Sequence, residues 1–352
     1  MAWWRLQSHS GQVRRKAGIR AMRDNPAESG ITSRLARRAL LRAAVFGTRD
    51  QELLTHWRAI AASVATGVIA EVREDVIAVE NGHDTEFFGV SPTTETWLGG
   101  PSSPPALRAG DPVILRYRTS DAADSARKHA ERIWARIGRV AGTIVAADGR
   151  EFLVDSRRHD KAPQRVVIAP ASLRQIQVRF PKLLPGYLLD VIGTRHGDHL
   201  LAVAPATAQP PYRAGHSPRP PLISGPVPVP VSGSAVWHEP DDEPPGLLGL
   251  GYPAIDPETG AKFPAAGGTG CLRLPYLSLG AAVRIRNECA ARTVVLPVTS
   301  DGTMAREFCD RCVKCGTSPK GRVADLTMAA FVELGGNLED GCFNATLTTM
   351  AG

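Results

Sequence analysis

The residues with the most specific chemistry lie in one stretch near the C-terminal end of the chain. Cys309, Cys312 and Cys315 have a C-x2-C-x2-C spacing, Asp310 lies inside that cluster, and Asp325 follows in a short apolar run. One carboxylic acid held in a groove can protonate a glycosidic oxygen, and a second carboxylate or a histidine can assist it. Thiolates at this spacing can hold a metal ion or pair as disulfides.

All six cysteines fall within the last 82 residues. An even number in one small domain is typical of a disulfide framework and predicts an oxidising compartment. The alternative is a metal site with a fourth thiolate from elsewhere in the domain. Because no histidine follows His238 and the outlying cysteines would still need a role, we favour disulfides of open connectivity and expect no metal. The disulfide candidates are Cys271, Cys289, Cys309, Cys312, Cys315 and Cys342.

Length and composition indicate a multidomain globular chain. The chain has 352 residues, of which 22% are charged and 43% hydrophobic, with 28 prolines and 34 glycines. This length exceeds one ordinary hydrophobic core, so we expect two or three domains. The proline and glycine content favours turns, linkers and β structure. No stretch of apolar residues is long enough for a membrane span, so we expect none.

Positive charge is concentrated at the N-terminal end. The net charge is +7, and residues 1–58 hold twelve Lys and Arg against four Asp and Glu. We do not expect a nucleic-acid partner, because this segment has no binding fold behind it and few interleaved aromatics. Residues 37–47 resemble a twin-arginine export signal, although charged residues interrupt its apolar core. A basic amphipathic helix over residues 33–62 is the alternative, and both stay open.

A weak internal repeat marks the middle of the chain. Residues 66–80 match 141–155 at an offset of 75, and residues 107–115 match 183–191 at an offset of 76. Each copy has the pattern of a β-hairpin, a variable loop, a glycine turn and another strand. The copies resemble small OB-like barrels that occur as tandem modules in bacterial surface proteins. Without an aromatic platform in the strands, we expect a spacer or scaffold role.

Two further segments complete the organisation. An amphipathic helix is predicted over residues 119–137, between the two copies. Prolines are dense over residues 205–246, which predicts an extended spacer. We therefore expect four parts: a basic N-terminal segment (1–63), a tandem OB-like domain (64–204), a Pro-rich linker (205–245) and a C-terminal domain (246–352).

The pattern of the C-terminal domain predicts strands and one short helix. Thr327 is the expected N-cap of that helix, and Gly335 and Gly336 are its expected stop. The predicted strands cover residues 281–288, 292–299, 322–326 and 343–349, and the helix covers residues 327–334.

Four ordered motifs in this domain resemble a known superfamily. They are L-G-A-A-V-R-I-R-N at 279–287, T-V-V-L-P-V-T at 293–299, C-D-R-C-V-K-C-G at 309–316 and A-D-L-T-M-A-A-F at 324–331. In order and character they are similar to the double-psi β-barrel of expansins, barwin-like proteins and the rare lipoprotein A family. The resemblance implies a six-stranded double-psi β-barrel at the C-terminus. With the OB-like repeats, this makes a mainly β protein.

The resemblance also implies roles for two aspartates. Asp310 is similar to the aspartate of the D-R-C motif. Asp325 is similar to that of the D-L-S motif, which faces the polysaccharide groove and is the acid of the lytic members. The structural alternative is that Asp325 caps the following helix and Asp310 pairs with Arg311 or Arg322. The lytic members carry a histidine before an L-P-x-G-T turn, and here Leu274 stands at that place.

Three residues are further candidates for glycan contacts. Asp301 directly follows a predicted strand, and Tyr252 and Tyr276 are aromatics able to stack on a sugar, with buried packing as the alternative. No nucleotide, zinc-protease or serine-hydrolase motif is present, so we expect no cofactor.

The sequence thus favours an exported, cell-wall-associated protein whose barrel binds, and loosens or cleaves, a polysaccharide such as peptidoglycan. Whether it is an enzyme stays open. The alternatives are a non-catalytic interaction protein with a degenerate barrel, and a cytoplasmic protein that binds zinc through its cysteine cluster.

Overall fold

The computed structural model describes residues 63–82, 84–102, 106–119, 127–156, 162–216, 230–239, 246–255 and 271–350. In these ranges the chain is mainly β, and its strands form three small closed barrels. The predicted export signal or basic helix at the N-terminus lies outside the described residues. Among the helices of the described ranges, none combines the length and hydropathy needed to cross a membrane.

The first barrel has five strands in the order β1-β2-β3-β7-β6, closed by β1 against β6. β3 and β7 meet in parallel, whereas the other neighbours are antiparallel. Two short strands, β4 and β5, extend the sheet beyond β7. The strands are β1 Val64–Val72, β2 Val76–Asn81, β3 Asp84–Gly89, β4 Glu95–Trp97, β5 Pro101–Ser102, β6 Pro112–Thr119 and β7 Lys128–Ala135.

The second barrel repeats this connectivity. Its order is β8-β9-β10-β12-β11, with β10 and β12 parallel. A 3-10 turn, Pro170–Ser172, and helix α1, Leu173–Arg179, lie between β10 and β11. Two five-stranded barrels of one strand order confirm the predicted tandem OB-like fold. The strands are β8 Ile137–Asp148, β9 Glu151–Asp155, β10 Gln164–Ile168, β11 Leu188–His196 and β12 His199–Pro205.

Two pairs of glycines give the internal repeat its structural basis. A Cβ at Gly67 or Gly142 would lie 2.1 or 2.3 Å from a backbone carbonyl oxygen of the paired strand, so neither position admits a side chain. Gly110 and Gly186 precede β6 and β11 and have φ angles of +89° and +87°, which glycine adopts without steric cost. The same close approach and the same turn therefore recur in both barrels.

The amphipathic helix predicted over residues 119–137 is wrong. Its described part is strand β7, followed by the start of β8. Ile133 packs into the first barrel, while its neighbour Trp134 points to the opposite face and packs with the third barrel. Because both faces of β7 are buried at its C-terminal end, the alternation of a half-buried strand is lost there, and the apolar spacing resembles that of a helix.

The third barrel has six strands in the order β13-β17-β14-β16-β15-β18. β13 is parallel to β17, and β14 is parallel to β16. Two short helices, α2 Thr303–Glu307 and α3 Met328–Glu333, and a 3-10 turn, Leu338–Asp340, lie between its strands. The strands are β13 Val231–His238, β14 Leu250–Gly251, β15 Ala282–Asn287, β16 Arg292–Ser300, β17 Arg322–Thr327 and β18 Cys342–Thr349.

The strands and the helix predicted for the C-terminal domain are confirmed. Thr327 caps α3, since its Oγ1 accepts a hydrogen bond from the Ala330 backbone N–H at 3.3 Å. Gly335, with a φ of +80°, follows the end of the helix. The prediction of an extended linker needs correction for Val231–His238, which is β13 of the barrel. The prediction was based on the prolines that flank this run. The run itself contains no proline and pairs with β17 and β18.

The six cysteines form three disulfides, as predicted. Each cysteine of the C-x2-C-x2-C cluster has a different partner outside the cluster, so no thiol of the cluster remains for the alternative zinc site. Disulfides persist in oxidising compartments. The bonds are Cys271–Cys309, Cys289–Cys315 and Cys312–Cys342, with Cα–Cα distances of 5.3, 5.3 and 5.7 Å.

The core of the third barrel continues into the other two. Trp134 of the first barrel and Ile192 of the second belong to the same buried cluster as Trp237 and Phe331 of the third. Conversely, Phe308 of the third barrel belongs to the buried cluster that forms the core of the second barrel. The barrels are therefore packed against one another through shared apolar cores.

Candidate functional site

Asp325 of β17 forms a pair with His238 of β13. In the strand register, Asp325 lies between Val236 of β13 and Gly251 of β14. The Nδ1 atom of His238 lies 3.3 Å from Oδ1 of Asp325. The two side chains are 19% and 13% exposed. The pair is thus held by backbone pairing and still reaches the surface.

The surroundings of Asp325 favour its ionised form. Burial raises the pKa of the carboxyl group, but the charge of His238 and its hydrogen bond, with the charges of Arg139 and Arg322, outweigh that effect and lower the pKa. At neutral pH the group is therefore a carboxylate. A carboxylate accepts protons and orients an imidazole, whereas a proton donor must be protonated.

Sequence reasoning missed His238. It looked for the histidine at Leu274 and assigned residue 238 to a linker. The two members of the pair are 87 positions apart, and they meet because β13 and β17 are parallel neighbours. The apolar run that ends in Trp237 was the available signal of a buried strand.

Asp310 lies in a different environment from Asp325. It is fully buried, and its Oδ2 accepts hydrogen bonds from Nε and Nη2 of Arg322 at 2.9 and 2.5 Å. This is the structural alternative considered from the sequence, the ion pair with Arg322. A carboxylate without solvent access does not contact a glycan in this conformation.

The pair of Asp310 and Arg322 continues into the second barrel. Nη2 of Arg322 also lies 2.5 Å from Oδ2 of Asp190 on β11, and Asp190 accepts hydrogen bonds from Nε and Nη2 of Arg139 on β8 at 2.8 and 2.5 Å. Burial lowers the pKa of Arg322, but Asp310 and Asp190 outweigh this effect and raise it. We call these four residues the buried ion chain, and it joins the two barrels.

The predicted sugar-stacking aromatics have different positions. Tyr252 is fully buried, and its hydroxyl donates a hydrogen bond to the Pro275 carbonyl oxygen at 2.7 Å. Burial raises the pKa of that hydroxyl. The alternative of buried packing thus describes Tyr252. Tyr276, in contrast, is 56% exposed.

Asp301 lies at the same end of the sheet as the His238 and Asp325 pair. It follows Ser300, the last residue of β16, which is registered with Gly251 of β14. Gly251 is in turn registered with Asp325. Asp301 is half-buried. The register thus places Ser300 in one row with Gly251 and Asp325, and Asp301 follows one residue beyond that row.

In the described ranges, no group of three or more His, Cys, Asp or Glu side chains is arranged to hold a metal ion. Comparison with known proteins identified neither a matching protein-family model nor a matching curated protein. The likeness to double-psi barrels therefore depends on the four motifs and on the closed six-stranded barrel.

Proposed function

We propose that the chain is an exported, wall-associated protein whose C-terminal barrel is of the double-psi type and binds a polysaccharide such as peptidoglycan. The observation that carries the proposal is the partly exposed pair of His238 and Asp325, 3.3 Å apart. The four ordered motifs support the barrel type. The three disulfides support export, since they are typical of oxidising compartments.

The pair has the parts needed for acid–base chemistry at a glycosidic bond. Asp325, ionised, orients the imidazole of His238 and stabilises its protonated form. The imidazolium donates its proton to the glycosidic oxygen as the bond between that oxygen and the anomeric carbon breaks, and a water molecule adds to the anomeric carbon and returns a proton to the imidazole. In this proposal the role of the acid passes from Asp325 to His238, because the lowered pKa of Asp325 favours the carboxylate.

Asp301 and Tyr276 provide the glycan contacts in this proposal. Asp301, one residue beyond Ser300 of the registered row, accepts hydrogen bonds from sugar hydroxyls. Tyr276 presents an exposed ring on which a sugar can stack.

A non-catalytic glycan-binding protein is the second candidate. It is favoured by the burial of Asp310. Because Asp310 belongs to the buried ion chain, Asp325 is the one predicted acid that is left to act beside His238. Both candidates share the binding step, and they differ in whether bonds of the glycan are cleaved.

The first test is co-sedimentation of the full chain with insoluble peptidoglycan and, separately, cellulose, with analysis of released muropeptides. We expect the wild type to bind peptidoglycan. The Asp325→Asn variant should lose any release of fragments, by roughly 10²-fold or more, because the imidazolium loses its ionised partner. The matched control is Asp148→Asn, the same change on an exposed hairpin of the second barrel, and it should behave as wild type.

Each outcome separates the candidates. Binding with fragment release supports the enzyme, and binding without release supports the non-catalytic candidate. Absence of binding to both polysaccharides contradicts the proposed function. Equal loss in Asp325→Asn and Asp148→Asn contradicts the assignment of the site.

A further inference from the structure

We propose that the second barrel positions His238, through Arg139 and Arg195, so that the site is complete only when the two barrels are packed together. The inference deepens the proposed function and depends on it for the role of His238. The observation behind it is that the residues before and after His238, Trp237 and Glu239, are both hydrogen-bonded to the second barrel.

The first tie holds Trp237. Its main-chain carbonyl oxygen accepts a hydrogen bond from Nη1 of Arg139, a residue of β8. The Cζ atom of the same guanidinium lies 5.6 Å from the centroid of the Trp237 ring. The guanidinium also donates two hydrogen bonds to Asp190. Arg139 is 5% exposed, and it donates further to the Gly341 carbonyl oxygen at 3.2 Å. A guanidinium with this many hydrogen-bond partners fixes the backbone on the N-terminal side of His238.

The second tie holds Glu239. Its Oε1 accepts hydrogen bonds from the backbone N–H of Arg139 at 2.6 Å and from Nε of Arg195 at 3.0 Å, and its Oε2 accepts from Nη2 of Arg195 at 2.6 Å. Nη2 of Arg195 is also bonded to Oε1 of Gln164 at 2.8 Å. A Cβ at Gly138 would lie 2.6 Å from Oε1 of Glu239, so the glycine permits this close approach.

The charges that face Asp325 come from both barrels. His238 and Arg322 belong to the third barrel, and Arg139 belongs to the second. Asp190 and Asp310 balance the two arginines within the buried ion chain. Loosening the ties of residues 237 and 239 would move the imidazole away from Asp325, although the strands of the third barrel stay paired. The site therefore depends on contacts that the third barrel does not itself supply.

The test follows the carboxyl carbon of Asp325 by 13C NMR during a pH titration of the full chain, with the signal assigned by its absence in Asp325→Asn. The variants are Arg195→Gln and Glu239→Gln. The Arg195 and Glu239 side chains are 27% and 25% exposed, and neither belongs to an apolar core cluster, so both substitutions leave the cores of the barrels unchanged. We expect the pKa of Asp325 to rise toward the ordinary aspartate value in both variants, since His238 is its main stabilising neighbour.

The matched control is Arg165→Gln. Arg165 is also an arginine of the second barrel, but its hydrogen bonds go to Glu151 of the same barrel. The titration of Asp325 should not change in this variant. Arg195→Lys, which retains a cation for Glu239, should recover part of the wild-type behaviour, as expected of positioning through the pair.

An unchanged titration of Asp325 in both Arg195→Gln and Glu239→Gln overturns the inference. So does an equal shift in the Arg165→Gln control. If the wild type binds peptidoglycan, the two variants should bind or cleave it roughly tenfold less well, because misplaced groups lose most of their effect. Failure of the wild type to bind any glycan sinks the proposed function alone, since the titration uses no glycan.

Discussion

At the residue scale, two aspartates with similar motif resemblance have different roles. Asp325 is partly exposed and is bonded to a histidine, whereas Asp310 is buried and bonded to an arginine. Removing one partner of a buried pair leaves an uncompensated charge, which is why Asp310 fits a structural role. The chemistry proposed for the domain therefore rests on Asp325 and His238.

The lowered pKa of Asp325 predicts how its contribution to stability depends on pH. Because the pKa is lower in the folded chain than the ordinary 3.8, the contribution is present above that value and is lost as the pH falls through the folded pKa. Urea unfolding at about pH 6 and about pH 2.5, with the disulfides intact, should show that the stability penalty of Asp325→Asn is smaller at the lower pH.

Asp148→Asn is the control for that measurement, because Asp148 is exposed. Its difference from wild type should be close to zero at both pH values. A penalty for Asp325→Asn that is as large in acid as at neutral pH would contradict the electrostatic account and favour lost packing.

At the scale of elements, the glycines of β1 and β8 permit these strands to approach β2 and β9 closely in the first two barrels. Gly67 and Gly142 lie where a strand passes directly over a carbonyl group of its neighbour. Most strand positions require only that apolar and polar side chains alternate, so the two copies differ in sequence there. These two positions require glycine in both copies.

We predict that Gly142→Ala lowers the free energy of unfolding by about 3 kcal/mol, because its Cβ would meet backbone atoms that cannot move independently. Chemical denaturation of the full chain measures this change. Gly100→Ala is the matched control, since a Cβ there has no atom within 4 Å. Similar stability for the two variants would contradict the shared closure of the repeats.

At the scale of the molecule, the three barrels differ from a set of tethered modules. Trp134, Ile192 and Trp237 come from three different barrels and belong to one buried cluster. The buried ion chain crosses the boundary between the second and third barrels. Barrels with shared cores cannot open separately without exposing apolar surface and buried charge.

We therefore expect the three barrels to unfold in one cooperative transition. Differential scanning calorimetry, with the disulfides intact, should give a single peak whose calorimetric and van't Hoff enthalpies agree. The Arg165→Gln variant is a control, since loss of its exposed pair with Glu151 within the second barrel should shift the peak only slightly. Two resolved peaks would show that the barrels are independent and would argue against dependence of the site on the second barrel.

The sequence by itself determined the local features of this protein. Cysteine number predicted the disulfides, alternation predicted the C-terminal strands, and the internal repeat with its glycine turns predicted the two tandem barrels. These features depend on neighbours in the chain, or on backbone conformations that only one residue type adopts.

Only the tertiary structure decided which residues form the candidate site. Lys128–Ala135 form strand β7, and residues of the third barrel bury Trp134 on its outer face, a contact that no local sequence pattern indicates. His238 meets Asp325 because two strands 87 positions apart pair in parallel, and the second barrel holds the residues on either side of it. Hydrophobic periodicity reports that a face is buried, whereas the choice of partner is made by packing between distant segments.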